Sequence, residues 1–215
     1  MEADELVQPI VVSKNSTSTH EQVVSYVAHA SCWALIKSFD DPMWKQWLSG
    51  RFTKSVRRAT PGQIAKMPSP AFQVRKDQLI VAAFKPMTYE DMPKSIRNAQ
   101  VSNTDFPRDE KKARRYPADS VIYHKDNTGG PTLWINEDLG MSTGKCAAQA
   151  AHGAMAMLCA VNQVDLNFWK ENRIAFSVIG VNLDQFEKKC EDAMVVISDA
   201  GLTELEPGSA TVAVS

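Results

Sequence analysis

The 215-residue sequence predicts an α/β protein built as a tandem pair of β-α-β-α-β-β units, and three observations predict it. Pro9–Leu35 and Pro131–Leu158 each read as a short apolar strand, a Ser/Thr-bearing turn and an amphipathic helix carrying Ala-His (His29, His152). Trp47 and Trp169 follow at similar distances, and then the β-like segments Thr53–Ala59 and Ile174–Val181, each containing Ser-Val. The whole order recurs at a separation of about 122 residues.

Taken in order, the first unit opens with the strand P-I-V-V and a polar turn, then the helix E-Q-V-V-S-Y-V-A-H-A. T-K-S-V-R-R-A is its second strand, a Gln-bearing helical stretch follows around Gly62–Met67, and F-Q-V-R and L-I-V-A-A-F supply two more strands. Tyr89–Gln100 predicts a short extra helix closing this half. In the second unit the strand is Pro131–Asn136, Gly140 permits a turn, and Ser142 or Thr143 is a natural N-cap for an Ala-rich helix. Leu183–Ala193 matches the Gln-bearing helical stretch, and M-V-V-I-S and A-T-V-A-V close the unit. The intervening residues are rich in charge, Pro and Gly (R-D-E-K-K-A-R-R, then D-N-T-G-G-P), a linker signature. The expected organisation is a first domain at 1–108, a linker at 109–130 and a second domain at 131–215.

Lys145 stands out because it falls in the first turn of its helix, where the macrodipole is positive and a cation costs about 0.3–1 kcal/mol. Local stability gives no reason for it, and a site would. Gln149 and His152 follow at helical spacing on the same face. Gly140 and Gly144-Lys145 look like a phosphate-binding P-loop, but that motif needs four residues between its glycines and a Ser or Thr after the lysine. Here three intervene and Cys146 follows, which excludes a nucleoside triphosphatase of that kind. The two halves differ at these positions: Gln22 stands opposite Lys145 and Tyr26 opposite Gln149, so the second half is equipped and the first reads as its scaffold.

The formal net charge of −1 divides unevenly, with 14 Lys+Arg against 10 Asp+Glu up to Arg108 and 10 against 15 beyond it. Arg51, Lys54, Arg57 and Arg58 form the sharpest basic cluster, readable as a solvated face or as a track for a nucleic-acid backbone. Cys32, Cys146, Cys159 and Cys190 lack metal-ligand spacing and read as buried free thiols of a reducing compartment. The acidic N-terminus has no apolar core of signal-peptide length and no run approaches a membrane span, so a soluble cytoplasmic protein is expected. His152 and Thr211 read as structural. Trp33, Trp44, Trp47, Trp134 and Trp169 read as core aromatics, with Trp44 or Trp47 a candidate for partial exposure and base stacking.

Asp199 ends the apolar strand V-V-I-S and opens the turn Ala200-Gly201, a position from which a side chain can line a cleft. Together, G-K-C-A-A-Q-A-A-H and the later D-A-G-L-T-E-L-E-P-G-S-A-T-V resemble the class-2 (archaeal and eukaryotic type) peptidyl-tRNA hydrolases over roughly Thr132–Ser215. The first half looks like the extra domain of a two-domain bacterial branch. The resemblance implies three-layer sandwiches with small mixed sheets, no cofactor, and cleavage of the ester joining a peptidyl group to the 3′ end of tRNA. It also implies that Lys145, Asp199 and Thr203 are catalytic. Gly144 and Gln149 read as substrate contacts beside them, Gln149 equally as a structural cap. Lys145 and the first-turn N–H groups of its helix would stabilise the carbonyl oxyanion, Asp199 would be general base or hold Lys145, and Thr203 would position water. The basic cluster would contact the tRNA backbone. Members commonly carry Arg between the Gly and the Thr, where this chain has Leu202. The family acts as homodimers, so two unequal copies predict a pseudo-dimer of the halves or a homodimer. The competing expectations are a non-catalytic tRNA- or ribosome-binding module on the same fold, and hydrolysis of another carboxylic ester or amide.

Overall fold

The structure is a computed structural model that describes residues 5–14, 17–101, 104–109, 120–125, 130–160 and 176–215. In the first half, β1 (Val7–Ser13) leads into α1 (His20–Lys37) and α2 (Pro42–Ser49), then β2 (Thr53–Ala59), α3 (Pro61–Ile64), β3 (Phe72–Lys76), β4 (Leu79–Ala83) and α4 (Lys94–Arg97). The second half holds β5 (Ser120–His124), β6 (Thr132–Asn136), α5 (Thr143–Ala160), β7 (Ser177–Val181), α6 (Leu183–Glu191), β8 (Val195–Ser198) and β9 (Ala210–Val214). Trp169 and Ile174 lie outside the described residues. No helix among the described residues is long and apolar enough to cross a membrane.

The strands make two mixed sheets, ordered β2-β1-β4-β3 and β5-β7-β6-β9-β8. Their registers repeat. Ile10 sits between Val56 on the parallel strand and Ala83 on the antiparallel one, and Leu133 sits in the same way between Val178 and Val214. A one-residue slip would turn each strand's apolar set to the wrong face, so the shared register reflects the same inward pattern in both halves. The first half departs in its last hairpin, where Asp77-Gln78 is a tight turn between β3 and β4; in the second half the long loop 199–209 joins β8 to β9. The segment expected as linker contains β5, which pairs antiparallel with β7 and widens the second sheet.

Helices α1 and α5 lie against each other between the two sheets. A single apolar core takes in Val23, Val27, Trp47 and Val81 from the first half and Leu133, Ala150, Met155 and Val212 from the second. The outer face of the first sheet is covered by α3 and α4 through Ile64 and Ile96, with Met92 from the turn before α4, and that of the second by α6 through Phe186. Each half is therefore helix, sheet and helix in three layers.

The junction of the halves is self-complementary. His20 and Thr143, the first residues of α1 and α5, are hydrogen-bonded to each other, Nδ1 to Oγ1, at 3.0 Å. The His152 ring lies 4.2 Å from Phe52, which precedes β2, and His29 lies 6.3 Å from Phe176, which precedes β7. Equivalent residues meeting each other's partners is the signature of an isologous contact between two copies. Burial lowers the pKa of both His20 and His152 to about 3, with Arg108 and Lys54 respectively adding to it, so both rings are neutral in the folded protein.

Candidate active site

The site forms where the start of α5 meets the loop that follows β8. Gly140 takes a left-handed turn (φ 57°) and delivers the chain to Ser142. Ser142 caps α5: its Oγ accepts the Lys145 N–H at 3.2 Å and its carbonyl accepts the Cys146 N–H. That puts Lys145 in the first turn, as the sequence predicts. A Glu or Gln at this third helical position would reach back to the cap's own N–H, and lysine has no acceptor with which to do so. Glu204 supplies it from the loop: one carboxylate oxygen takes the Ser142 N–H at 2.9 Å and the other takes its hydroxyl at 2.6 Å. The Lys145 side chain is free to turn elsewhere.

It turns to Asp199. The loop is pinched by two backbone bonds, Asp199 N–H to Ser209 O and Gly208 N–H to Asp199 O, both 2.8 Å. The Asp199 carboxylate therefore faces α5 and is 6 % exposed. Its Oδ2 accepts the Gly201 N–H at 2.9 Å, and its Oδ1 accepts both the Lys145 ammonium and Gln149 Nε2, the latter at 2.7 Å. Lys145 Nζ also donates to Thr203 Oγ1 at 2.9 Å. Lys145, Gln149, Asp199 and Thr203 thus form one bonded cluster. Gln149 Oε1 is buried and has no hydrogen-bond partner among the described residues.

Other expectations are corrected. The first-turn amides of α5 are not open to a substrate oxyanion: Thr143 N–H goes to Asp105 Oδ1 (3.0 Å), Gly144 N–H to Thr104 O (2.8 Å) and Lys145 N–H to Ser142. Gly144 lies against Thr104. The basic cluster does not form one surface, because β2 alternates its side chains between faces. Arg57 is 4 % exposed and donates to the carbonyl of Arg97 at 2.9 Å, while Arg58 stacks its guanidinium over Phe106 at 4.6 Å. Lys54 lies over Trp47 and Phe52, at 4.5 and 4.9 Å from the ring centres, and burial lowers its pKa to about 7. Arg51 alone is exposed.

Trp44 and Trp47 are buried and pack edge to face, so neither is placed to stack on a base. His152 shares a helix face with Lys145 in sequence but points to the junction with the first half, not to Asp199. Cys159 is exposed although it reads as a buried thiol, whereas Cys32 and Cys146 are buried. Thr211 is buried and donates to the Ile197 carbonyl, a structural role. Glu204 and Asp105 were not singled out in the sequence; the usable signal is a lysine where a capping box would have Glu or Gln. Leu202 is 69 % exposed beside Thr203. Asp199 is already held by three donors, so an arginine at position 202 is not needed to anchor it. Among the described residues no group of three or more His, Cys, Asp or Glu side chains is placed to hold a metal ion.

Lys145, Asp199 and Thr203 thus converge at the start of α5 on a mixed α/β fold. The family model described as peptidyl-tRNA hydrolase PTH2 matches residues 132–214, which contain every residue of the cluster. The chain is 32% identical to the peptidyl-tRNA hydrolase of Sulfurisphaera tokodaii over 91 residues, 36% of this chain and 75% of that protein. It is 33% identical to that of Sulfolobus acidocaldarius over 94 residues, 37% of this chain and 78% of that protein. The chain belongs to the class-2 peptidyl-tRNA hydrolase family.

Proposed function

We propose that the protein hydrolyses the ester between a peptidyl, or N-blocked aminoacyl, group and the 3′ end of tRNA, with Lys145, Asp199 and Thr203 carrying the reaction. Family membership supports the activity, and the Lys145 ammonium is the observation that carries the site. An ammonium has three donors. Two are spent on Asp199 and Thr203, which fix its direction, and the third is left for the carbonyl oxygen that gains charge as water attacks. A fixed donor aimed at developing charge typically contributes about 10²–10³ in rate.

Asp199 serves as holder of Lys145 more than as proton acceptor, since Oδ1 takes Lys145 and Gln149 and Oδ2 takes Gly201. Thr203 accepts from Lys145 with its oxygen and keeps its own hydroxyl proton to orient the attacking water. Gln149 is a positioning residue for Asp199. No cofactor enters the scheme, and the place of such an enzyme is the cytoplasm, with its tRNA substrate.

The same proposal takes residues 1–108 as a degenerate hydrolase-like domain, the extra domain of the two-domain bacterial branch, and 131–215 as the catalytic one. The isologous junction supports a pseudo-dimer of the halves in place of a homodimer.

The test is release of tRNA from N-acetylated aminoacyl-tRNA by the intact chain, beside Lys145→Ala and Asp199→Ala. Turnover lost in both is the expected result. Turnover surviving both means that the site lies elsewhere, and no turnover by the wild type with tRNA still bound means a binding module on an enzyme's fold.

A further inference from the structure

The first two amides of α5, those of Thr143 and Gly144, are satisfied from residues outside the hydrolase-matching region. Thr104, 1 % exposed, gives its carbonyl to Gly144 N–H, and Asp105 gives Oδ1 to Thr143 N–H. Phe106, 6 % exposed, donates its N–H to Thr143 Oγ1 at 3.0 Å. The strand-like run then crosses to the other helix. His20 N–H donates to Pro107 O at 2.9 Å, and Asp109 N–H donates to Glu21 Oε2 at 3.1 Å. Residues 104–109 are thus a strap tying the N-terminus of α1 to that of α5. The strap is itself held, by Thr104 Oγ1 to the Val101 carbonyl at 2.8 Å and by Arg58 over the Phe106 ring.

The strap also accounts for Gly144. A Cβ there would come within 2.9 Å of Thr104 Cβ, so the second residue of the helix is glycine because the strap lies on it.

We propose that Thr104 and Asp105 are positioning residues for Lys145, and that through them the first half sets the geometry of the site. Lys145 follows Gly144 directly, so any rotation of the first helical turn moves its ammonium relative to Asp199 and Thr203. The amides that would let the turn rotate or fray are closed by Thr104 and Asp105. The carboxylate of Asp105 also lies at the positive end of the α5 dipole, where it offsets the cation that follows.

The inference rests on the hydrolase reading for its kinetic consequence only, and its test has a readout without substrate. Lys145 acetylation by an activated ester is followed by mass spectrometry in the intact chain, together with kcat and KM on N-acetylated aminoacyl-tRNA. Asp105→Ala should raise the labelling rate of Lys145 severalfold and lower kcat about fivefold with KM within twofold. Asp105→Asn, which keeps an acceptor oxygen, should restore both. Gly144→Ala should act in the same direction more strongly, and Thr104→Gly on top of it should recover part of the loss by removing the clash.

Unchanged Lys145 labelling in Asp105→Ala overturns the proposal. So does a Gly144→Ala defect that Thr104→Gly leaves untouched, because the glycine would then serve the substrate and not the strap. If the wild type fails to turn over while the labelling changes occur as described, the positioning role stands and the hydrolase reading falls.

Discussion

Helices α1 and α5 begin at equivalent places in the two halves, and they close their N-termini differently. At α1, Thr19 and Gln22 form a capping box: the Thr19 hydroxyl takes the Gln22 N–H and the Gln22 side chain takes the Thr19 N–H at 3.1 Å. At α5, Ser142 and Lys145 stand in the same positions, the reciprocal bond cannot form, and Glu204 completes the cap from 62 residues away. The difference extends to the last hairpin. The turn Asp77-Gln78 in the first half is tied to β1 by Ser13, whose hydroxyl donates to the Gln78 carbonyl at 3.1 Å. The loop 199–209 in the second half brings Asp199, Thr203 and Glu204 to the helix. The first half closes its helix cap from within the helix. The second moves its capping out to a loop, and its lysine is left to reach Asp199 and Thr203.

The sharpest break of this comparison is to remove the scaffold. A fragment of residues 120–215, which keeps β5, bares the flank of α5 that lies along α1 and loses the strap at 104–109. It should no longer be a monomer of native stability but self-associate, α5 against α5, as seen by light scattering after gel filtration. A cooperative, monomeric fragment would show that the halves are neighbours and not a pseudo-dimer.

Next in size is the paired substitution at the third residue of each helix. Lys145→Ala should cost about 10²–10³ in kcat. Gln22→Ala should leave kcat alone and lower stability by about 1 kcal/mol, the usual net worth of one hydrogen bond. A kinetic defect in Gln22→Ala comparable with that of Lys145→Ala would erase the distinction between the halves.

Much of this was legible in the chain. The two β-α-β-α-β-β units follow from alternation and helical spacing that recur in step, and Lys145 is conspicuous because a cation is unfavourable where it sits. Asp199 and Thr203 became visible through the motif around them and not through any local pattern. The basic cluster is continuous along the chain but not in space, because a strand sends Arg57 and Arg58 to opposite faces. The roles of Glu204 and Asp105 depend on which distant segments arrive at α5. Sequence reports the vacancy in the capping box but not the group that fills it.

A smaller effect concerns the junction histidines. His20 and His152 have folded pKa values of about 3 against an ordinary value of 6.5, because burial disfavours their charged forms. The unfolded chain binds those protons first. Their contribution to stability is therefore complete above pH about 6.5 and is lost as the pH falls from there towards 3, at up to about 1.4 kcal/mol per pH unit for each ring. His152→Gln should flatten the slope of denaturant-measured stability between pH 6 and pH 4 by nearly that amount. An unchanged slope would mean that the ring opposite Phe52 is not buried neutral.

The smallest expected change is at position 202, where an exposed leucine stands beside the site. Leu202→Arg should tighten tRNA binding a few-fold and steepen the plot of log affinity against log salt by about one unit, without altering thermal stability. No change in slope would show that this part of the loop does not meet the phosphate backbone.

The central claim is that Lys145 and Asp199 act as one unit, and single-turnover hydrolysis of N-acetylated aminoacyl-tRNA by Lys145→Ala, Asp199→Asn and the double variant tests it most directly. If Asp199 works by holding Lys145, the double variant should be no slower than Lys145→Ala alone. Losses that multiply in the double variant would contradict this, and would make Asp199 an independent participant in the attack on the ester.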